Sequence, residues 1–453
     1  MSYKKRLNRV IPGGAHTYSK GHDQFPSNAP EILLKGKGAY VFDANGKRYL
    51  DYGMGLRAVN IGYAENEINN AAFNQIQNGN NLTRPSIIEL EAAELLVEMI
   101  DSVDMVKFTK NGSTSVSAAV KLARAYTGKN MVARCLQHPF FSYDDWFIGS
   151  TPITKGIPKS TIEMTKTFDY NDIESLGKLI ERYPDQFACV ILEPSTVESP
   201  YIGVDGSRNY QENTPVKFDK KNNKKNFLQQ VQGLCRKHGI VFILDEMITG
   251  FRWHMKGAQY LYGVEPDLCT FGKAMANGFS VSCVAGKKEI MKQGSIEPEG
   301  MERLFLLSTT HGAEMSGLGA FVKSMEMMQR ENVIEHLWGY GLKVKDMMNS
   351  LSKEFGISDN FSVIGPACSP TYLTRDKNKK DSLELRTLFN QELIKNGVMM
   401  PWLSFCYRHG DTEFEITENA VRNALEVYAQ ALDKGVNKFL ECDTIKPVFR
   451  KYN

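Results

Sequence analysis

Two short apolar runs near the middle of the chain each end on a residue able to do chemistry. Phe242-Ile243-Leu244-Asp245-Glu246-Met247 reads as a buried strand that delivers a carboxylate at its C-terminal end. Leu268-Cys269-Thr270-Phe271 then delivers Lys273 into a Gly/Ala/Asn-rich turn, Gly272-Lys273-Ala274-Met275-Ala276-Asn277-Gly278. A buried aspartate and a desolvated lysine at paired strand ends suit pyridoxal 5′-phosphate (PLP): the carboxylate keeps the pyridine nitrogen protonated, and the lysine bonds the aldehyde as a Schiff base. The protonated ring is the electron sink that makes amino-acid chemistry possible. The plainer alternative is an ordinary buried ion pair and a surface lysine, and these two residues alone leave both readings open.

A second feature points the same way. Met105-Val106-Lys107-Phe108 is a short strand running into Asn111-Gly112-Ser113-Thr114, and a helix follows over Ser117–Tyr126, stopping at Gly128. A loop between a strand and a helix gathers free backbone N–H groups and the positive end of the helix dipole at one point, as a phosphate requires. The hydroxyls of Ser113 and Thr114 add donors. The same residues also serve as a plain helix cap. The aromatic stretch Phe140-Phe141-Ser142-Tyr143-Asp144-Asp145-Trp146 reads either as core or as a platform for a planar ring.

The elements that must position these groups alternate between helical and strand periods, which predicts an α/β architecture with a mostly parallel sheet. Further strands are expected at Cys189–Glu193 and Val241–Leu244, a helix at Ile87–Ile100, and a hairpin over 36–51 turning at Asn45-Gly46. A Met-rich helix from about Gly317 opens a smaller α+β region. The expected division is an N-terminal segment, 1–52, packing with the small domain, a large cofactor domain, 53–316, and a C-terminal small domain, 317–453. The basic run Lys220-Lys221-Asn222-Asn223-Lys224-Lys225 reads as a solvated loop, with an acidic partner as the alternative.

Composition narrows the class. A chain of 453 residues exceeds what one core usually serves. A net charge of +3 is too small to argue for nucleic acid or an anionic membrane. No apolar run is long enough to span a bilayer, and the first residues lack an apolar signal core. The eight cysteines are dispersed without a Cys-x-x-Cys pair, which fits reduced thiols in a cytoplasm and argues against a zinc site. No protein-held metal is expected.

Nearly the whole chain resembles a class III PLP-dependent aminotransferase of the glutamate-1-semialdehyde aminomutase-like branch. The resemblance is carried by Ile11-Pro12-Gly13-Gly14, Gly36 to Asp51, Asn111 to Lys129, Gly156-Ile157-Pro158, Tyr170-Asn171-Asp172 and Glu193-Pro194. Most specific are Asp245-Glu246-Met247-Ile248-Thr249-Gly250-Phe251-Arg252 and, at family spacing, Pro266-Asp267-Leu268 to Gly278. It implies the fold-type I PLP architecture and a homodimer with a shared active site. It assigns Lys273 as the Schiff-base lysine and proton carrier, and Asp245 as the partner of the pyridinium nitrogen. Ser113 and Thr114 would hold the phosphate, Phe140 and Met247 would cover the two ring faces, and Glu193 would lie near the cofactor. Within Ser308-Thr309-Thr310, Thr309 aligns best with the threonine that reaches the neighbouring subunit's phosphate.

The chain departs from the family pattern where substrate is concerned. Phe140-Phe141-Ser142 stands where the family carries Tyr/Phe-His-Gly, and Asn111-Gly112-Ser113-Thr114-Ser115-Val116 where it carries Asn-Ser-Gly-Thr-Glu-Ala. Lys20 occupies the place of the aminomutase arginine that binds a substrate carboxylate, and a point charge does not replace a bidentate fork. Arg408, on C-terminal sequence, is the second candidate cation. Three functions follow as expectations. The first is an aminotransferase moving an amino group, from L-glutamate as the expected donor, onto an aldehyde or keto acceptor such as a sugar-derived or polyhydroxylated metabolite. The second is the aminomutase of tetrapyrrole synthesis, and the third a PLP-binding protein without turnover.

Overall fold

The computed structural model describes residues 1–201, 213, 215, 225–297, 299–300 and 302–453. The basic run at 220–225 lies outside the described residues except for Lys225. The chain forms two compact units, one of residues 1–65 with 335–453 and one of residues 66–334.

The central unit, 66–334, is built on a seven-stranded sheet. Across it the strands run Met105–Thr109, Ser282–Gly286, Leu268–Phe271, Val241–Asp245, Phe187–Leu192, Met131–Cys135 and Thr165–Phe168. Ser282–Gly286 is antiparallel to both neighbours and every other pairing is parallel, so the mostly parallel sheet expected from the sequence is present. Five of these strands are buried along their whole length, which is why they read as apolar runs rather than as alternating patterns.

The helices stop and start where local chemistry dictates. Gly112–Thr127 begins at the Asn111 cap and ends on Gly128 at φ +68°. Ile87–Met99 opens with a Ser86/Glu89 capping box, and Phe227–His238 with Asn226 and Gln229. The Met-rich helix is Met315–Arg330. It packs closely on Asn66–Gln77 because Gly319 has no side chain: a Cβ there would stand 3.0 Å from the Ala71 carbonyl oxygen. That packing places the helix in the central unit, so the units divide at 334/335 rather than within it.

The other unit holds Leu33–Lys37, Tyr40–Asp43 and Arg48–Asp51 as antiparallel strands, joined in parallel by Val398–Met399. The expected hairpin turns at Asn45-Gly46. Asp43 Oδ1 accepts the N–H groups of Asn45 and Lys47, both at 2.9 Å, and Gly46 supplies φ +83°. The long helices Leu383–Lys395 and Asp411–Lys434 pack against each other in this unit. Among the described residues no helix is long and apolar enough to cross a membrane.

Candidate active site

The C-terminal ends of the parallel strands form one edge of the central sheet, the edge at which open α/β sheets bind ligands. Thr109, Asp245 and Phe271 are the last residues of their strands. The reversed strand starts at the same edge, with Ser282 opposite Thr109 and Cys283 opposite Phe271.

Asp245 pairs in register with Thr270. Its Oδ1 accepts the Thr270 hydroxyl at 2.9 Å and the Met247 N–H at 3.0 Å. Both bonds fall on one oxygen, so Oδ2 is the oxygen left to another donor. Burial pushes the carboxyl up to about 6, against the opposing pull of the Met247 N–H, the Lys273 charge and the Thr270 hydroxyl. An apolar strand has thus delivered an aspartate that is costly to ionise until a cation meets it. Its neighbour Glu246 serves the scaffold: the carboxylate accepts N–H groups of Ala258 and Gln259 at 3.0 and 2.9 Å and the Thr249 hydroxyl.

Lys273 lies two residues beyond its strand, at φ +45°. A lysine pays conformational energy to sit there, and such strain collects at functional positions. Gly272 before it is tightly enclosed, since an added Cβ would stand 2.7 Å from Met247 Sδ and 3.0 Å from Ser282 Oγ. Gly112 touches the same methionine, with a would-be Cβ at 2.8 Å from Sδ. Met247 therefore lies against both the lysine turn and the start of the helix Gly112–Thr127.

That helix start has free donors. Asn111 is the cap, its Oδ1 accepting the Thr114 N–H at 2.9 Å and the Thr114 hydroxyl at 3.1 Å. The serine and threonine are thus not the cap. The N–H groups of Gly112 and Ser113 have no acceptor among the described residues. Behind the turn, a buried hydroxyl cluster links Thr109, Ser115 and Ser282 at 2.6 and 2.8 Å, and Ser282 donates to the Phe271 carbonyl at 2.6 Å.

Within the aromatic stretch Phe141 and Trp146 are core, as is Phe147 just after it, whereas Phe140 and Tyr143 are 47% and 60% exposed. Glu193 follows the strand Phe187–Leu192 and is buried, and its N–H donates to His138 Nδ1 at 2.9 Å. Burial holds that imidazole neutral, with its pKa down at about 3, so His138 acts as an acceptor. Ser308, Thr309 and Thr310 are all exposed. In the other unit, Lys20 is exposed, and Arg408 is paired with Glu65 at 2.6 Å.

Sequence reasoning missed Thr270, Ser282 and His138. Thr270 had a signal, as the one hydroxyl in an otherwise apolar strand opposite the aspartate. Ser282 and His138 had none, because their partners lie far away in sequence.

The donor set fits PLP. Uncapped N–H groups and hydroxyls at a helix start suit its phosphate, a buried aspartate with one open oxygen suits its ring nitrogen, and a strand-end lysine suits its aldehyde. Residues 19–205 and 221–400 match the family described as aminotransferase class-III. The chain is 31% identical over 430 residues to 3-aminobutyryl-CoA aminotransferase of Cloacimonas acidaminovorans (strain Evry), covering 94% of this chain and 96% of the relative. It is 28% identical over 408 residues to glutamate-1-semialdehyde 2,1-aminomutase of Clostridium tetani (strain Massachusetts / E88), covering 87% and 91%. Among solved structures it resembles the PLP-containing FumI protein of Sphingopyxis sp. MTA144, with a TM-score of 0.79 and 23% identity over 98% of both chains. It also resembles an omega-transaminase from Sphaerobacter thermophilus, with a TM-score of 0.78 and 25% identity over 94% and 97%.

Proposed function

This chain belongs to the class III aminotransferases, PLP-dependent enzymes of fold type I, and on that premise we propose that it transfers an amino group from L-glutamate to an aldehyde or keto acceptor lacking a tightly held carboxylate. Sugar-derived and polyhydroxylated carbonyl compounds are the acceptor class in view. The observation that carries the transfer chemistry is the pairing of Asp245, buried with one open oxygen, and Lys273, strained into the turn beyond the adjacent strand.

When bound, the cofactor supplies the electron sink for breaking bonds at the substrate carbon that bears nitrogen. The chain's own residues do the rest. Asp245 would keep a proton on the ring nitrogen by presenting a buried carboxylate to it. Lys273 Nζ would be the group that bonds the cofactor aldehyde and the base that carries the proton. Gly112 and Ser113 would hold the phosphate through their backbone N–H groups and the Ser113 hydroxyl, and Thr114 would join them on giving up its bonds to Asn111 Oδ1. Met247 and Phe140 cover the ring, and Glu193 bounds the site.

The acceptor reading rests on Lys20 standing where the aminomutase-type site has an arginine. The relative named for 3-aminobutyryl-CoA supports it, since a thioester offers no free carboxylate to an arginine fork. The aminomutase relative keeps the intramolecular reaction as the competing outcome. A half-reaction decides between them. Mixing the holoenzyme with L-glutamate should deplete the lysine-linked cofactor absorbance and release one equivalent of 2-oxoglutarate, whereas glutamate-1-semialdehyde alone should be converted poorly. Efficient 5-aminolevulinate formation without any donor would overturn the proposal. A PLP-bound protein inert to all donors would instead support a non-catalytic role.

The active form is proposed to be a homodimer in which Thr309, exposed on the single chain, completes the phosphate site of the partner subunit. Mixed Lys273→Ala and Thr309→Ala protomers would then regain one intact site per heterodimer. Activity above that of either parent is expected, and a fully active monomer would refute sharing.

A further inference from the structure

The loop carrying Phe140 is fastened to the helix start that offers phosphate donors, and the fastening is a directed chain of hydroxyls. Trp146 Nε1–H donates to Ser117 Oγ at 2.9 Å, and Ser117 Oγ lies 3.0 Å from Ser142 Oγ. Ser142 Oγ donates to the Ser113 carbonyl at 3.3 Å and accepts the Asp144 N–H at 3.1 Å. Each hydroxyl has one proton, and Ser142 gives its own to the Ser113 carbonyl. The Ser117 proton must therefore run to Ser142, and the relay has a single direction from Trp146 to Ser113. A second strut runs beside it. The Tyr143 N–H donates to Ser113 Oγ at 3.1 Å. An oxygen that accepts this bond keeps its own O–H for another acceptor, so the buried Ser113 retains two donors, its backbone N–H and its hydroxyl. Ser142 and Trp146 are buried, which makes the relay stronger than its exposed counterpart would be.

We propose that Ser142 is a positioning residue for the cofactor phosphate. Through Ser117 and Ser113 it fixes the first turn of the helix Gly112–Thr127 against the loop that carries Phe140, so that the phosphate donors of that turn keep their aim. The proposal deepens the PLP reading and rests on it. Ser142 takes the place of the glycine in the Tyr/Phe-His-Gly pattern, and its hydroxyl is the atom that makes the link.

The test is equilibrium titration of the cofactor-free protein with PLP and, separately, with pyridoxal, which has the same ring and aldehyde but no phosphate. Ser142→Ala should weaken PLP about five- to tenfold, the loss of one to two net hydrogen bonds, and leave pyridoxal unchanged. Ser117→Ala, which adds a good helix former and breaks the middle of the relay, should give the same selective loss at smaller size. Inorganic phosphate should compete with PLP less well in both variants than in the parent. Equal weakening of PLP and pyridoxal, or no weakening of either in a folded Ser117→Ala protein, would overturn the proposal. Failure of the parent protein itself to bind PLP would instead strike the cofactor reading.

Discussion

Asp245 and Asp51 are two buried aspartates, each the last residue of its strand, and each has its carboxyl pushed upward by burial. Their hydrogen bonds separate them. Asp245 in the central unit receives both bonds on Oδ1. Asp51 in the other unit uses both oxygens: Oδ1 accepts the Gly53 N–H at 2.8 Å, and Oδ2 accepts the Met54 N–H at 3.0 Å and the Tyr63 hydroxyl at 2.6 Å. What Asp51 holds is a strained turn in which Met54, Gly55, Leu56 and Arg57 all have positive φ, from 42° to 67°. Left-handed backbone costs about 1–2 kcal/mol for each residue other than glycine, so such a run persists only where neighbours over-determine it. A saturated carboxylate is scaffold, and one with an oxygen to spare is available for chemistry.

The largest expected effect tests whether the central unit carries the chemistry at all. Lys273→Ala removes nucleophile and proton carrier together, so turnover should fall by roughly four or more orders of magnitude while PLP can still bind through its phosphate. Borohydride reduction of the parent, followed by mass spectrometry, should place the pyridoxyl group on Lys273. A label on any other lysine would end the assignment.

The next effect tests the two aspartates directly. In Asp245→Asn the amide oxygen can still take the Thr270 and Met247 bonds that Oδ1 accepts, so the cofactor-free fold should tolerate the change. Asp245 has a raised pKa in the folded chain, so its stability contribution is complete below about 3.8 and lost as pH rises through about 6. The variant lacks this loss, and cofactor-free Asp245→Asn should therefore melt higher than the parent at pH 8, by an amount that shrinks toward pH 4. Turnover should nonetheless drop about a hundredfold, because the ring nitrogen loses its anion. Asp51→Asn should do the opposite, lowering stability by about 1–3 kcal/mol at pH 8 because its NH2 faces backbone or phenol donors. Denaturation and steady-state kinetics of both variants provide the check, and equal behaviour of the two would dissolve the distinction.

How much of this could be read beforehand follows from which interactions are local. The strand ends at Asp245 and Phe271 were legible because fully buried parallel strands appear as unbroken apolar runs, and the helix after Asn111 because a cap and a glycine stop are local signals. The hydrogen-bond patterns that divide Asp245 from Asp51 were not legible, since their partners are set by the fold, although the fully apolar run before Asp245 already marked that strand end. The Thr109–Ser115–Ser282 cluster and the relay through Ser142 depend on register between segments far apart in sequence. The positive φ of Lys273 leaves no mark on residue types, because lysine is not the residue a left-handed position selects. The helix Met315–Arg330 shows its amphipathic Met-rich face in sequence, but the partner for that face, Asn66–Gln77, is set by the fold.

The smallest effect concerns the cations expected to meet substrate, both in the unit that holds Asp51. The same criterion of saturation sorts them. Arg408 spends its guanidinium on Glu65, at 2.6 Å from one terminal nitrogen, and the pair raises its pKa. Lys20, exposed and without a side-chain ion pair among the described residues, is therefore the cation that the proposed function assigns to an incoming anionic or hydroxylated group. Lys20→Ala should raise KM for the acceptor about three- to tenfold with little change in kcat, because a solvated charge contributes alike to ground and transition states. The effect should fade with added salt, as a screened interaction must. Arg408→Ala should leave KM nearly unchanged and lower stability by up to about 1 kcal/mol through loss of the Glu65 pair. A larger KM effect from Arg408→Ala than from Lys20→Ala would show that a charge already paired in the free chain is redirected to substrate, and hydrogen-bond saturation would then fail as a guide in this unit.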